Sequence, residues 1–260
     1  IDDWLVARLR QRSAEFSEAM DSYDLRRAVE ISHYELIKDV NWYTRRGGNN
    51  AAIGRLVLES WTYLISVSTP HLAEEWGRCL SLKEMVSASE MGDIKPVSED
   101  EETVLNHEYI MRAVLENSRK VMSIAEKHLD GQAQKLTLIV SPEWKNQLSR
   151  AAINYLNDGG NVKQFIQELK QMDFVNDENM GQILSYWNKK MLSQVFKWDD
   201  KSKSLILDNI DEAEVLLERA SFIAKELELN EIEVIRAEDY QGEDGRENSS
   251  LPLSPSIIFA

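Results

Sequence analysis

Apolar residues recur at three- and four-residue intervals through most of the chain, the spacing of amphipathic helices. Over residues 2–20 the pattern runs through Leu5, Leu9, Phe16 and Met20, with Arg8 and Arg12 on another face. Over 23–46 it runs through Leu25, Ala28, Val29, Ser32, Leu36, Val40 and Tyr43. Gly47-Gly48 then supplies a stop, because glycine accepts the left-handed C-cap conformation. A third stripe follows over 52–67, through Leu56, Val57, Ser60, Trp61, Leu64 and Ile65. Thr69-Pro70 restarts a helix: Thr offers a capping oxygen, and Pro suits a first turn in which no N–H is needed. Four helices within residues 1–80 predict a bundle.

Residues 81–97, with Gly92 and Pro96, read as a linker. Ser98 and the acidic run Glu99–Glu102 predict a helix start, since carboxylates favour the positive end of the helix dipole. That helix is expected to continue to about Leu129 through Val104, Tyr109, Ile110, Val114, Val121, Ile124 and Ala125, and to stop at Asp130-Gly131. The pattern then changes. KLTLIVSP (135–142) is short, rich in β-branched residues and closed by proline, so it predicts a strand. Helices are predicted around 143–157, 161–171, 176–196 and 209–228, with a break at Asn157-Asp158-Gly159-Gly160. EIEVIRA (231–237) and SIIF (256–259) predict two more strands, and the polar loop 241–250 reads as mobile. The expected fold is mainly α: a helical bundle over 1–80, a linker and long helix over 81–130 that packs on the bundle, and a small α/β domain over 131–260.

Composition narrows this picture. The 260 residues are 43% hydrophobic and 29% charged, enough to bury a core and stay solvated. The one cysteine, Cys79, permits no disulfide within the chain and excludes Cys-based zinc sites; this suits a reducing cytosol, and Cys79 reads as a small buried hydrophobe. His33, His71, His107 and His128 lack ligand spacing. No apolar run approaches the ~20 residues of a membrane span, and no basic-then-apolar leader is visible. The chain opens Ile1-Asp2-Asp3, already in helical pattern, as a piece of a longer protein would.

The net charge of −15 argues, taken alone, against a nucleic-acid partner. Its distribution changes that. Lys and Arg number 10 against 12 Asp and Glu over 1–80, 6 against 11 over 81–130, 10 against 8 over 131–205, and 4 against 14 over 206–260. Two acidic blocks hold most of the charge, and the remainder is open to an anion.

Signs of catalysis are few. There is no Gly-rich phosphate loop and no GxSxG, and HLAEE (71–75) lacks the second histidine of a zinc helix. Arginine beside aromatic residues says more. Arg26-Arg27, Lys38 and Arg45-Arg46 lie along one predicted helix, with Trp42-Tyr43 next to the last pair. One cation would satisfy the helix C-terminus. Two, beside aromatics, also form a surface for phosphate and stacking. Ordinary solvated charge explains the same residues, and a helical protein-interaction module, docking basic partners on its acidic faces, is the competing reading. Trp42, Trp61 and Trp76 read as core.

STPHLAEEW (68–76) resembles the PHxxEELW signature that closes the helical tRNA-binding domain of class I aminoacyl-tRNA synthetases, with one residue fewer before Trp76. The spacing from Ala19 and Met20 through Tyr23 to Tyr43 resembles the same domain in leucyl-tRNA synthetases, and IDDWLVARL (1–9) resembles its entry helix. LTLIVSPEWK (136–145), DEAEVLLERASFIAKEL (211–227), EIEVI and LPLSPSIIFA (251–260) are similar to the extra C-terminal domain of archaeal and eukaryotic leucyl enzymes. The resemblance implies that the bundle grips the body of tRNA-Leu and that the C-terminal domain contacts its long variable arm. It implies RNA contacts from Arg26, Arg27, Lys38, Arg45 and Arg46, and from Ile257, Ile258, Phe259 and Ala260 at the C-terminus; Lys189, Lys190, Lys197, Lys201 and Lys203 are further candidates. Replacing Arg45 and Arg46 together by Ala is expected to weaken RNA binding with the fold intact. The acidic blocks 99–102 and 206–247 are expected to face away from RNA. The ATP-binding motifs and the editing domain are missing from this chain, so it is expected to use no cofactor, with ATP and Mg2+ confined to the whole cytoplasmic ligase. Its expected partners are tRNA-Leu and the rest of the synthetase chain, without a membrane and as a monomer. A valyl or isoleucyl enzyme's equivalent region, which reads the anticodon directly, is the alternative within the class.

Overall fold

The computed structural model describes residues 1–89, 95–127, 132–177, 179–242 and 245–260. The architecture is the expected one, mainly helical with a small sheet in the C-terminal half. The chain divides into two compact units, Ile1–Glu108 and Tyr109–Ala260. Gly92, His128, Leu129 and the expected Asp130-Gly131 stop lie outside the described residues.

The first unit contains α1 (Asp2–Asp21), α2 (Leu25–Glu30), α3 (Leu36–Arg45), α4 (Ala51–Ser66), α5 (Pro70–Cys79) and the opening turns of α6 (Glu99–Ala125). Trp4, Leu5, Phe16, Ile31, Leu36 and Leu64 are buried in its core. Leu25 and Val29, expected inside, are exposed. The reason is a π-turn over Ile31–Glu35 that joins α2 to α3. It inserts an extra residue and re-phases the helix, so Ala28, Ile31, Ser32 and Leu36 are the buried positions. The Leu36 N–H reaches back five residues to Ile31, and the Ser32 carbonyl accepts the indole N–H of Trp61 at 2.6 Å.

Helix ends follow local chemistry. Ser98 and Glu101 form a reciprocal capping pair at α6: the Glu101 N–H donates to the Ser98 hydroxyl at 3.3 Å, and the Ser98 N–H donates to the Glu101 carboxylate at 3.0 Å. Pro70 opens α5 as expected, but the Thr69 hydroxyl does not cap it; it donates back to the Ile65 carbonyl at 3.1 Å. Cys79 is exposed, not buried. The inward positions of α5 are Ala73 and Gly77, and two residues beyond Gly77 the helix has turned away.

Two helices end in the same way. Tyr43 and Tyr155 each lie four residues before a Gly-Gly pair, and the first glycine takes positive φ (Gly47 +88°, Gly159 +81°). The second glycine's N–H returns to the tyrosine carbonyl at 2.9 Å in both cases. Asn50 and Asn161 then cap the following helices. A Cβ on Gly48 would fall 2.3 Å from the Tyr43 ring. That ring cannot swing aside freely, because its hydroxyl donates to Asp2 at 2.6 Å and accepts the Asn50 N–H at 3.1 Å. Gly48→Ala is therefore expected to destabilise the first unit by about 1–3 kcal/mol, read from urea unfolding. Gly54→Ala is the control, since nothing lies within 4 Å of a Cβ there.

The second unit contains β1 (Lys135–Val140), α7 (Glu143–Asn157), α8 (Val162–Leu169), α9 (Met180–Tyr186), α10 (Leu192–Val195), α11 (Asp200–Leu207), α12 (Glu212–Leu227), β2 (Glu231–Arg236) and β3 (Ser256–Phe259). A π-turn over Trp187–Met191 makes α9 and α10 one continuous run. Strand order is β2-β1-β3, with β1 parallel to β2 and antiparallel to β3. As the central strand, β1 buries Leu136, Leu138, Ile139 and Val140, hence its nearly unbroken apolar run. Phe165, Ile183, Trp187 and Met191 centre the helical core of this unit. The sequence pattern did not reveal α11, a short helix capped by Asp199, which accepts the Ser202 N–H at 2.8 Å.

Within the polar loop expected to be mobile, Arg246–Ser249 forms a 3-10 turn held from below. The buried Lys145 ammonium donates to the carbonyls of Glu247 (3.3 Å), Asn248 (3.2 Å) and Ser250 (2.8 Å). Burial, and then the nearby Lys190 ammonium, lower its pKa to about 8. Three carbonyl acceptors offset part of the cost of burying that charge.

Candidate nucleic-acid interface

The cations predicted to meet phosphate fall into two groups. Arg27 turns inward, donating to Glu35 at 2.5 Å and to Glu15 at 3.0 Å. It joins a network in which Arg12 holds the buried Asp39 at 2.9 Å and pairs with Glu15 and Glu35, while Arg8 approaches Asp39 at 3.4 Å. The Arg27 bond holds the Glu35 carboxyl below its ordinary value, and the same bond raises Arg27. Burial pulls Arg8 down, against the attraction of Asp39. This network ties α1 to the α2–α3 run.

Arg46 also faces inward. Its Nε donates to the Glu108 carboxylate at 2.8 Å, and the same oxygen accepts the Trp42 indole N–H at 2.7 Å. Glu108 and Trp42 are both buried. Arg46 thereby clasps the end of α3 to α6.

Arg26, Lys38 and Arg45 lie on the outward side of the α2–α3 run. Arg26 is 89% exposed, and its Glu30 partner lies at 3.0 Å one turn on. Such a pair is worth little in water and yields readily to a phosphate. Lys38 makes no ion pair among the described residues. The Arg45 guanidinium sits 5.9 Å from the Trp42 ring centroid. Two apolar side chains share this face, Tyr34 at 61% exposure and Ile37 at 44%. Apolar periodicity alone did not mark Tyr34. Its signal was negative: it stands where a soluble helix has no folding use for an aromatic ring.

In the second unit, Ile257, Ile258 and Phe259 belong to the edge strand β3, where Leu136 pairs Phe259 and Leu138 pairs Ile257. The Ala260 carbonyl accepts the N–H groups of Gln134 at 2.7 Å and Lys135 at 2.9 Å. Phe259 is buried, the two isoleucines are half-buried and Ala260 is exposed. Of the lysines, Lys189 and Lys197 are exposed, Lys190 donates to the Asn248 carbonyl at 3.0 Å, Lys203 lies 3.9 Å from Asp200, and Lys201 is half-buried.

The signature segment has a structural use. Pro70 opens α5, Ala73 is fully buried, and Trp76 meets Trp61 edge-on at 5.7 Å. Glu74 accepts from the Ser87 hydroxyl at 2.6 Å and from the N–H groups of Ser87 and Val86 at 2.9 and 3.3 Å. These bonds, the hydroxyl first, depress its pKa. The segment therefore folds the chain after α5 back onto the bundle.

Residues 2–136 match the family model described as the anticodon-binding domain of tRNA ligase, and the chain belongs to that family. Over its whole length it is similar to leucine–tRNA ligases of archaea. It is 28% identical to that of Methanocaldococcus jannaschii over 100% of this chain and 25% of the relative. The figures are 31%, 100% and 25% for Methanococcus vannielii, and 26%, 99% and 26% for Metallosphaera sedula. The chain spans about a quarter of the length of the curated relatives it matches. These matches bear out the resemblance carried by STPHLAEEW and by the C-terminal segments. No helix among the described residues is long and apolar enough to cross a membrane.

Proposed function

We propose that this chain is the tRNA-binding C-terminal region of a leucyl-tRNA synthetase, gripping tRNA-Leu by its backbone with the first unit and meeting its long variable arm with the second. The whole enzyme joins leucine to tRNA-Leu in the cytoplasm with ATP and Mg2+; this region holds the RNA, performs no chemistry itself and works as a monomer. The observation that carries the reading is the outward side of α2–α3, where Arg26, Lys38 and Arg45 are exposed along the same run as Tyr34 and Ile37. Guanidinium and ammonium groups position a phosphate backbone without reading sequence. Discrimination among tRNAs then rests on an arm that most of them lack, a matter of shape.

The test is filter binding of the 260-residue chain to a tRNA-Leu transcript and to the same transcript without its variable arm, across a salt series. Intact transcript should bind more tightly, with steep salt dependence. Replacing Arg26, Lys38 and Arg45 by Ala should lower the log–log salt slope by roughly 0.7–0.9 for each phosphate no longer neutralised. Salt-insensitive or absent binding returns the chain to the protein-interaction reading, and equal binding of both RNAs favours a valyl or isoleucyl relative.

A further inference from the structure

The continuous run formed by α9, its π-turn and α10 is amphipathic, and its outward side holds a residue that folding does not explain. Trp187, Met191, Val195 and Trp198 are buried at three- and four-residue spacing. The opposite side carries Lys189, Ser193, Phe196 and Lys197. Phe196 is 66% exposed, the most exposed phenylalanine or large aliphatic side chain described in the molecule. Lys189 lies seven residues before it and Lys197 directly after it, both exposed, and neither has a carboxylate partner among the described residues. Lys190 is tethered beside them to the Asn248 carbonyl.

The contrast with the first unit is informative. There Arg8, Arg12, Arg26, Arg27 and Arg46 each meet a carboxylate. Here two exposed ammonium groups lie on the same outward side of one helical run as a bare aromatic ring, within the stretch 131–205, which carries 10 basic against 8 acidic residues in an otherwise acidic chain. An apolar protein partner would call for exposed neighbours of Phe196 that are apolar too; those within four residues are Ser193, Lys197, Asp199 and Asp200. An anion with a flat face fits both features.

We infer that the Lys189–Phe196–Lys197 face binds an unstacked RNA nucleotide, its base on the Phe196 ring and the adjoining phosphates on the two lysines. The inference rests on the RNA-binding reading above and adds a specific contact surface to it. Stacking on a phenylalanine ring tolerates any base, so this face adds affinity at a loop or unpaired end and not sequence choice.

All three side chains are exposed, so their replacement leaves the fold alone. Using the intact tRNA-Leu transcript, Phe196→Ala is expected to weaken binding by about five- to a hundredfold with little change in salt slope. Lys189→Ala with Lys197→Ala is expected to reduce that slope by roughly 1.4–1.8. Phe196→Trp should retain binding and show fluorescence quenching when the RNA is added. If wild-type protein binds and loses affinity with the Arg26, Lys38 and Arg45 replacements, yet is indifferent to Phe196→Ala and to the double lysine variant, this inference fails and the broader reading stands. If wild-type protein binds no RNA, both fail. A concentration-dependent dimer abolished by Phe196→Ala, with RNA affinity unchanged, would assign the face to a second copy and overturn the proposal.

Discussion

Replacing Arg46 by alanine is expected to destabilise the first unit by about 3–5 kcal/mol, whereas Arg45→Ala should stay within about 1 kcal/mol, in urea or thermal unfolding. The two arginines are neighbours in sequence and opposites in environment. Arg46 holds the carboxylate of Glu108 at 2.8 Å, and Glu108 is only 3% exposed. Removing the guanidinium takes a close countercharge from a buried carboxylate, and that penalty exceeds the modest net value of the pair itself. A second substitution makes the cause visible. Glu108→Gln removes the charge while an amide oxygen can still accept the Trp42 N–H, so adding it to Arg46→Ala should recover part of the loss. Additive losses in the double variant would show that the pair is not coupled. The joint replacement of Arg45 and Arg46, expected from sequence to leave the fold intact, is therefore a poor probe of RNA contact; Arg45→Ala alone is a clean one.

This difference marks where sequence reading stops. The four bundle helices, the Gly-Gly stops, the helix start at Ser98 and all three strands were legible, because each depends on residues close together in the chain. Most of the site was not. Arg26 and Arg27 are adjacent, yet one points to water and the other into a network completed by Glu15 and Glu35. Which arginine is captured depends on where α1 lies, and no local pattern encodes that. The π-turns have the same effect on apolar positions. A single extra residue moved Leu25 and Val29 outward, and a strict helical period has no means of registering it. Helix α11 escaped notice because its eight residues carry few apolar positions, and its buried Leu205 and Ile206 stand next to one another without a full period. The family signature was legible as a pattern, but the bonds that Val86 and Ser87 donate to Glu74 join residues twelve and thirteen apart and are written in no local pattern.

The second large effect lies in the second unit, at Glu212. Wild-type protein is expected to lose stability relative to Glu212→Gln as pH rises from about 4.5 to about 8, by a total on the order of 5 kcal/mol. Glu212 stands in the first turn of α12, where a carboxylate normally gains from the helix dipole. Burial outweighs that gain. The desolvated carboxyl is pushed up to about 8, against the Leu253 N–H that it accepts at 3.1 Å and with a further push from Asp211. The folded protein therefore keeps a proton that the unfolded chain releases near its ordinary value of 4.5. Between those two values the native state binds more protons, so stability falls as pH rises; above about 8 the penalty is complete and flat. Lys145 acts later and with the opposite sign. Its pKa is lowered to about 8 from 10.5, so its contribution rises with pH only between those values. Glutamine keeps the acceptor for Leu253 and never ionises, so the variant should match wild type near pH 4 and exceed it progressively toward pH 8. Urea unfolding at half-unit pH steps reads the difference directly, with all other titrating groups common to both proteins. Parallel pH profiles would show that the Glu212 carboxyl reaches water in the folded state. The consequence extends beyond stability, because Leu253 holds positive φ at the turn that delivers β3 to the sheet edge. An ionised Glu212 would draw water toward that turn, so hydrogen exchange of residues 251–259 should quicken above pH 8 in wild type and not in the variant.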